Sequence, residues 1–207
     1  MTPEPTVFVI DDDAEVCNGL GMLLESAGLT VETYSSASRF LDAYDPARPG
    51  CLVLDVRMRG MSGLDLLARL GGPESPLPVI MITGHGDFDT AVRALKGGAM
   101  EILQKPFGDQ EVLDRVWSAL GADQQRRTAQ AERAAFADRL KLLTPRERIV
   151  LDLLVAGGTS KEIAAELSLS VRTVESHRAS IMEKMEAGSS TQLVRTVLLA
   201  RAPSAAR

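Results

Sequence analysis

Apolar positions change period partway along the chain. Up to about residue 120 they fall in short β-rich runs: TVFVI (6–10), TVETY (30–34), CLVLD (51–55), VIMIT (79–83) and EILQ (101–104). Between and after them, 15–27, 36–43, 62–70, 88–97 and 109–120 carry the three-and-four spacing of amphipathic helices. A strand followed each time by a helix predicts an α/β domain built on a doubly wound five-stranded parallel sheet. The first, third and fourth strands are apolar throughout, as strands covered on both faces must be. The second alternates, which suits an edge.

The rest of the chain shows no strand pattern. Residues 121–143 are rich in Ala, Gln, Arg and Glu and read as a helical linker. Thr144-Pro145 opens a helix as N-cap and first helical residue, and Gly157-Gly158 closes it. Thr159 or Ser160 caps the next, to Leu167. Ser170 caps a third, to Met185, and SSTQLVRTVLLA forms a fourth. The predicted organisation is a domain over 1–120, a linker over 121–143 and a smaller all-α domain over 144–207. The tail after Arg201 is expected to be disordered.

Composition adds limits. Hydrophobic residues at 45% and charged residues at 25% are ordinary for a soluble globular protein. No apolar run approaches the roughly 20 residues that cross a bilayer, and MTPEPTVFVIDDD lacks the basic start of a signal peptide. Cys17 and Cys51 are far apart, with no CxxC spacing, and read as buried apolar residues in a reducing cytoplasm. Charge divides unevenly: residues 1–120 hold nine basic and eighteen acidic residues, residues 121–207 fourteen and ten. A front half at −9 and a rear half at +4 suit two separate tasks, the second compatible with nucleic acid.

Open parallel sheets bind ligands at the carboxyl ends of their strands. Here those ends carry Asp11 and Asp12, Asp55, Thr83, and Lys105 before Pro106. Singly, each reads as a loop or cap residue; together they form a pocket if strands 1, 3, 4 and 5 are neighbours. Three clustered carboxylates repel one another, and a hard divalent cation such as Mg²⁺ relieves that repulsion. Asp55 is then a nucleophile able to form an acyl phosphate, with Lys105 and Thr83 stabilising phosphoryl charge.

The runs VFVIDDD, CLVLDVRMRGMSGLDLL, PVIMITGHGD and GAMEILQKPF, over residues 5–120, resemble the receiver domain of two-component response regulators. The resemblance implies a flavodoxin-like fold with Asp55 as phosphoacceptor. It implies Asp12 as a direct Mg²⁺ ligand, Asp11 acting largely through water, and the backbone carbonyl of Arg57 completing the protein's share of the metal shell. Thr83 and Lys105 would meet the phosphate, with a cis bond into Pro106, while Asp13 faces outward. Gly60 and Gly63 would shape the turn behind Asp55. Two departures stand out. Arg59 occupies a position usually held by proline, which predicts a looser loop. Ile102 occupies that of the aromatic partner in the usual Thr–aromatic switch. His85 is assigned to the loop after strand 4, without a metal role.

In the basic half, Lys161–Leu167 and Arg172–Met185 are joined by SLS, a length that fits a helix-turn-helix. Val174, Ile181 and Met185 share one face, as core. Arg172, Glu175, Ser176, Arg178 and Ala179 form the other, which suits either a major groove or solvent. The stretch over 140–202 resembles the LuxR-type helix-turn-helix of the NarL/FixJ class, and with TGHGD it points to the FixJ-like branch. The resemblance implies that Lys161, Thr173, His177 and Arg178 lie near DNA phosphates, while Glu175 and Ser176 face base edges. Arg172 suits either role, and His177 suits packing or capping as well. The implied partners are a sensor histidine kinase, double-stranded promoter DNA and, after phosphorylation, a second copy of the chain.

Three alternatives fit less well. A Mg²⁺-dependent aspartate-nucleophile phosphohydrolase needs D-x-D-x-[TV], and Asp11–Glu15 lacks the last element. A receiver with an RNA- or protein-binding output is opposed by the SHRASIMEKM helix. G-x-S-x-G, Walker A and GxGxxG motifs are missing.

Overall fold

A computed structural model describes residues 4–84 and 88–201. The chain divides into two compact units, residues 1–127 and 128–207.

The first unit holds five strands: β1 (Thr6–Ile10), β2 (Thr30–Tyr34), β3 (Gly50–Asp55), β4 (Val79–Thr83) and β5 (Glu101–Gln104). They pair in parallel in the order β2-β1-β3-β4-β5, so the alternating strand lies at one edge as expected. Its helices are α1 (Ala14–Ser26), α2 (Ala37–Ala43), α3 (Gly63–Arg69), α4 (Phe88–Lys96) and the start of α5 (Asp109–Lys141). Every residue of β1, β3 and β4 is buried, because alternate side chains enter different cores. Phe8, Ile10, Leu52, Leu54 and Met81 pack with Phe40, Leu66, Leu67 and Ala94 of α2, α3 and α4. Val7, Val9, Cys51, Val53, Ile80 and Ile82 pack with Leu20, Leu24, Val112 and Val116 of α1 and α5. Cys17 and Cys51 are both free and buried.

The helix predicted over 109–120 and the helical linker predicted over 121–143 run on as one element, α5. Gly121 alone does not stop a helix flanked by good helix formers, at a cost of about 1 kcal/mol. Nor does the first unit end at 120. Asp123, only 1% exposed, accepts from the backbone N–H of Gly50 (2.9 Å), from Arg126 (2.6 Å) and from Arg127 Nε (2.8 Å). Arg127 also donates to the carbonyl of Ala47 at 2.9 Å, so this turn of α5 is tied to the loop entering β3.

The second unit contains the rest of α5, then α6 (Pro145–Val155), α7 (Ser160–Glu166), α8 (Val171–Lys184) and α9 (Ser190–Arg201). Thr144 with Glu147, and Thr159 with Glu162, form reciprocal capping boxes, and the Ser170 side chain accepts from the N–H of Thr173. The core joins Phe136 and Leu143 to Val150, Leu151, Ile163, Val174, Ile181, Met185, Leu193 and Val197. Between α7 and α8 the chain turns through Ser168 at φ 53°, a left-handed conformation in a non-glycine residue. His85 and the tail beyond Arg201 lie outside the described residues.

Candidate phosphoacceptor site and nucleic-acid interface

Parallel pairing aligns the strand ends. Asp55 stands opposite Ile82, Thr83 opposite Gln104, and Ile10 opposite Leu54, which delivers Asp11 and Lys105 to the same rim. Lys105 Nζ donates to Asp55 Oδ1 at 2.8 Å and to Asp11 Oδ2 at 2.9 Å. Both carboxylates are buried, so one ammonium serves two acids in a low-dielectric setting. The Lys105–Pro106 peptide bond is cis. Burial pushes the Asp55 carboxyl above the usual range, opposed by the bond from Lys105 and assisted by the charge on Asp11. Burial also works against the charge on Lys105, but its bonds to Asp55 and Asp11 prevail and hold its pKa up.

The loop after β3 folds back over the site. The backbone N–H of Arg57 donates to Asp55 Oδ2 at 2.6 Å. Gly60 adopts φ 81°, and a Cβ on Gly63 would lie 2.1 Å from the Asp55 carbonyl oxygen, so both glycines are required by the turn. At the position where a looser loop was expected, Arg59 is tied to Asp12. Its Nε and backbone N–H donate to Asp12 Oδ2 at 2.9 and 3.2 Å, and a charged tether replaces the stiffness of a proline ring. Those bonds hold the Asp12 carboxyl below its usual range.

Asp11, Asp55 and Lys105 are therefore in direct contact, whereas Asp12 is held by Arg59. Thr83 is buried at the end of β4, and its hydroxyl oxygen has no hydrogen-bond partner. Ile102 is half-buried against the core under α3 and α4. Asp13 is exposed and caps α1 by accepting from the N–H of Glu15.

Among the described residues, no three His, Cys, Asp or Glu side chains are grouped to hold a metal unaided. The residues nevertheless fit Mg²⁺, which binds through one or two carboxylates and keeps water and phosphate oxygens in its remaining positions. Two buried carboxylates sharing one cation leave a negative charge to be balanced, and the orphaned Thr83 hydroxyl is a donor in want of an acceptor.

In the second unit Lys161, Arg172, Glu175 and Ser176 are exposed; Thr173, His177 and Arg178 are half-buried. Ser176 Oγ donates to the carbonyl of Arg172 at 3.1 Å, and Thr173 Oγ1 lies 2.8 Å from Ser170 Oγ at the start of α8. Arg178 donates to Ser160 of α7 at 2.5 Å and to Ser190 of α9 at 3.1 Å, while Ser160 donates to the Glu175 carboxylate. Glu175 and Arg178 thus brace α8 against its neighbours, which their positions on a polar helix face did not signal. Glu147 was also missed. Buried in α6, it accepts from Lys184 and Ser180 of α8. The T-P-R-E sequence of a capping box was its one visible mark.

Residues 7–117 match the response regulator receiver domain, and residues 141–197 match the bacterial regulatory proteins of the luxR family. The chain is 46% identical over 194 residues to the transcriptional regulatory protein FixJ of Azorhizobium caulinodans, covering 94% of this chain and 92% of that protein. It is 44% identical to nodulation protein W of Bradyrhizobium diazoefficiens, covering 91% and 83%. Among solved structures, the response regulator StyR superposes with a TM-score of 0.84 at 44% identity, covering 95% and 99%. Full-length FixJ from B. japonicum gives 0.60 at 42%, covering 96% and 98%. The chain belongs to the NarL/FixJ class of response regulators, in which a receiver domain is joined to a LuxR-type DNA-binding domain.

Proposed function

We propose that this transcriptional regulator is controlled by phosphorylation of Asp55 in the cytoplasm, from the phosphohistidine of a sensor kinase, with Mg²⁺ held by Asp12, Asp55, the Arg57 carbonyl and, through water, Asp11. The carrying observation is the convergence of Asp55, Asp11 and Lys105 beside an unpartnered Thr83 hydroxyl. An Asp55 oxygen attacks phosphorus, the P–N bond breaks, and its electron pair leaves with the imidazole, which takes up a proton. The acyl phosphate remains on Asp55. Bound Mg²⁺ supplies charge neutralisation for the phosphoryl oxygens. Lys105 follows the charge from carboxylate to phosphoryl group, and Thr83 gains the acceptor it lacks.

The output is a promoter-bound dimer. One helix-turn-helix covers too little DNA for strong discrimination, so paired half-sites are the expected target. The face made by α4 and β5 is the proposed contact between copies. In the DNA-binding unit, Lys161, Thr173, His177 and Arg178 would meet phosphates, Glu175 and Ser176 base edges, and Arg172 either.

The test is labelling by a small-molecule phosphodonor with Mg²⁺. Asp55→Asn should abolish the label and chelation should prevent it; an equally labelled Asp55→Asn protein would overturn the assignment. Sedimentation equilibrium with and without beryllofluoride tests the dimer, and a chain monomeric under both conditions would refute it.

A further inference from the structure

In the receiver pocket the carboxylates of Asp11, Asp12 and Asp55 are met by the side chains of Lys105 and Arg59. Lys105 is committed to Asp11 and Asp55, leaving Asp12 to Arg59. Both donors of Arg59 converge on one atom, Asp12 Oδ2. The contact lies at the pocket mouth: the Arg59 side chain is 88% exposed and that of Asp12 23%. Asp12, Arg57 and Arg59 form one wall of an open cleft there, and Thr90 and Arg93 of α4 also line it.

A guanidinium bound to a carboxylate offsets the negative charge that would attract a divalent cation there, so the two compete for Asp12. We propose that Arg59 is a built-in counterion that holds Asp12 until a divalent cation displaces it, and so sets how much metal is needed to arm Asp55. The inference rests on the reading of Asp12 as a metal ligand. Arg59 opposes the metal twice. Its bonds offset the charge on Asp12, and a displaced guanidinium stays on the same short loop, repelling the ion. An exposed pair of this kind competes by roughly two- to fivefold. The residual repulsion adds to that at low salt and fades as the screening length shortens.

Calorimetric titration of the full chain with Mg²⁺ tests this, with Mn²⁺ binding followed by electron paramagnetic resonance as a second readout. The side chain is exposed and packs against nothing else in the core, so Arg59→Ala should fold normally. It should bind metal about three- to tenfold more tightly than wild type at low salt, and the gap should narrow as salt rises. Arg59→Lys, which keeps the charge but loses the Nε donor, should fall between them. In an Asp12→Asn background, Arg59→Ala should change binding far less. If Arg59→Ala binds metal no more tightly than wild type while Asp12→Asn binds it much more weakly, the counterion role is wrong and the site stands. If Asp12→Asn leaves metal binding unchanged, the site assignment itself fails and takes the proposal with it.

Discussion

Replacing Glu147 by Gln probes an ion pair with a buried carboxylate that joins α6 to α8. The carboxylate accepts from the N–H of Thr144 (2.8 Å), from Ser180 Oγ (2.7 Å) and from Lys184 Nζ (2.9 and 2.7 Å). Glutamine keeps one acceptor oxygen but loses the charge. Breaking a fully buried pair costs about 3–5 kcal/mol. Lys184 is 31% exposed and can turn to water, so the loss should be about 2–3 kcal/mol. A second route gives a similar figure. Burial pushes the Glu147 carboxyl up, but Lys184, Ser180 and Thr144 together bring it from 4.5 to about 2. At about 1.4 kcal/mol per unit this amounts to roughly 3 kcal/mol, an upper limit given solvent at Lys184. Because the folded-state pKa is depressed, that stability is present above pH 4.5 and disappears as pH falls towards about 2. Trp117, Tyr34 and Tyr44 all lie in residues 1–127, and residues 128–207 contain no Trp or Tyr. Trp117 fluorescence during urea unfolding therefore reports the receiver, and far-ultraviolet ellipticity reports both units. Glu147→Gln should lower only the ellipticity transition of the second unit, and that transition should lose most of its acid dependence. A loss below about 1 kcal/mol at neutral pH, or an acid dependence equal to wild type, would refute the ion-pair argument.

Thr83→Val removes a buried hydroxyl that has no partner, so melting should be unchanged or raised by about 1 kcal/mol, while beryllofluoride should lose its effect on dimerisation; a clear loss of stability would contradict the orphaned geometry. Ser168→Gly relieves a left-handed residue in the turn before α8 and should stabilise the second unit by about 0.5–1 kcal/mol in the ellipticity transition. Asp123→Ala strands the N–H of Gly50 and removes the carboxylate that Arg126 and Arg127 share, which should cost the receiver about 2–3 kcal/mol by Trp117 fluorescence.

Legibility of the fold followed the strength of the local physics. Short β-rich runs mark the strands, apolar throughout where both faces are buried, and β1, β2, β4 and β5 begin and end where their runs do. A parallel sheet then places strand ends together, which is why Asp11, Asp55 and Lys105 were readable as a site. The short 3₁₀ turn at Gly72–Glu74 was not anticipated, because three residues carry no period. Asp123, Arg126 and Arg127 sit in a polar tract where each looks solvated; the burial of Asp123 depends on the loop entering β3, 73 residues away for the Gly50 bond. The same blindness covered Arg59. Its departure from proline was visible, but a long flexible side chain reaching a carboxylate 47 positions away leaves no local trace.

The register also decides how a signal at Asp55 would reach β5. Met81 pairs with Ile102 and Thr83 with Gln104, so Met81 and Thr83 share a face of β4, and Ile102 and Gln104 the matching face of β5. Met81 belongs to the core against which Ile102 packs. Movement of Thr83 towards a phosphoryl group would open space on that face, next to a side chain already half inside it. A large aromatic ring in that place would exchange a solvent-exposed for a buried rotamer, with much area at stake. Isoleucine is β-branched, restricted at χ1, smaller, and without a hydroxyl to anchor either state. Less area changes hands, so the two states of β5 differ less in free energy, and a given ligand shifts their populations less. Under the proposed mechanism the consequence is graded: some dimer before phosphorylation and more after it. Ile102→Tyr should widen the ratio between the two dimerisation constants.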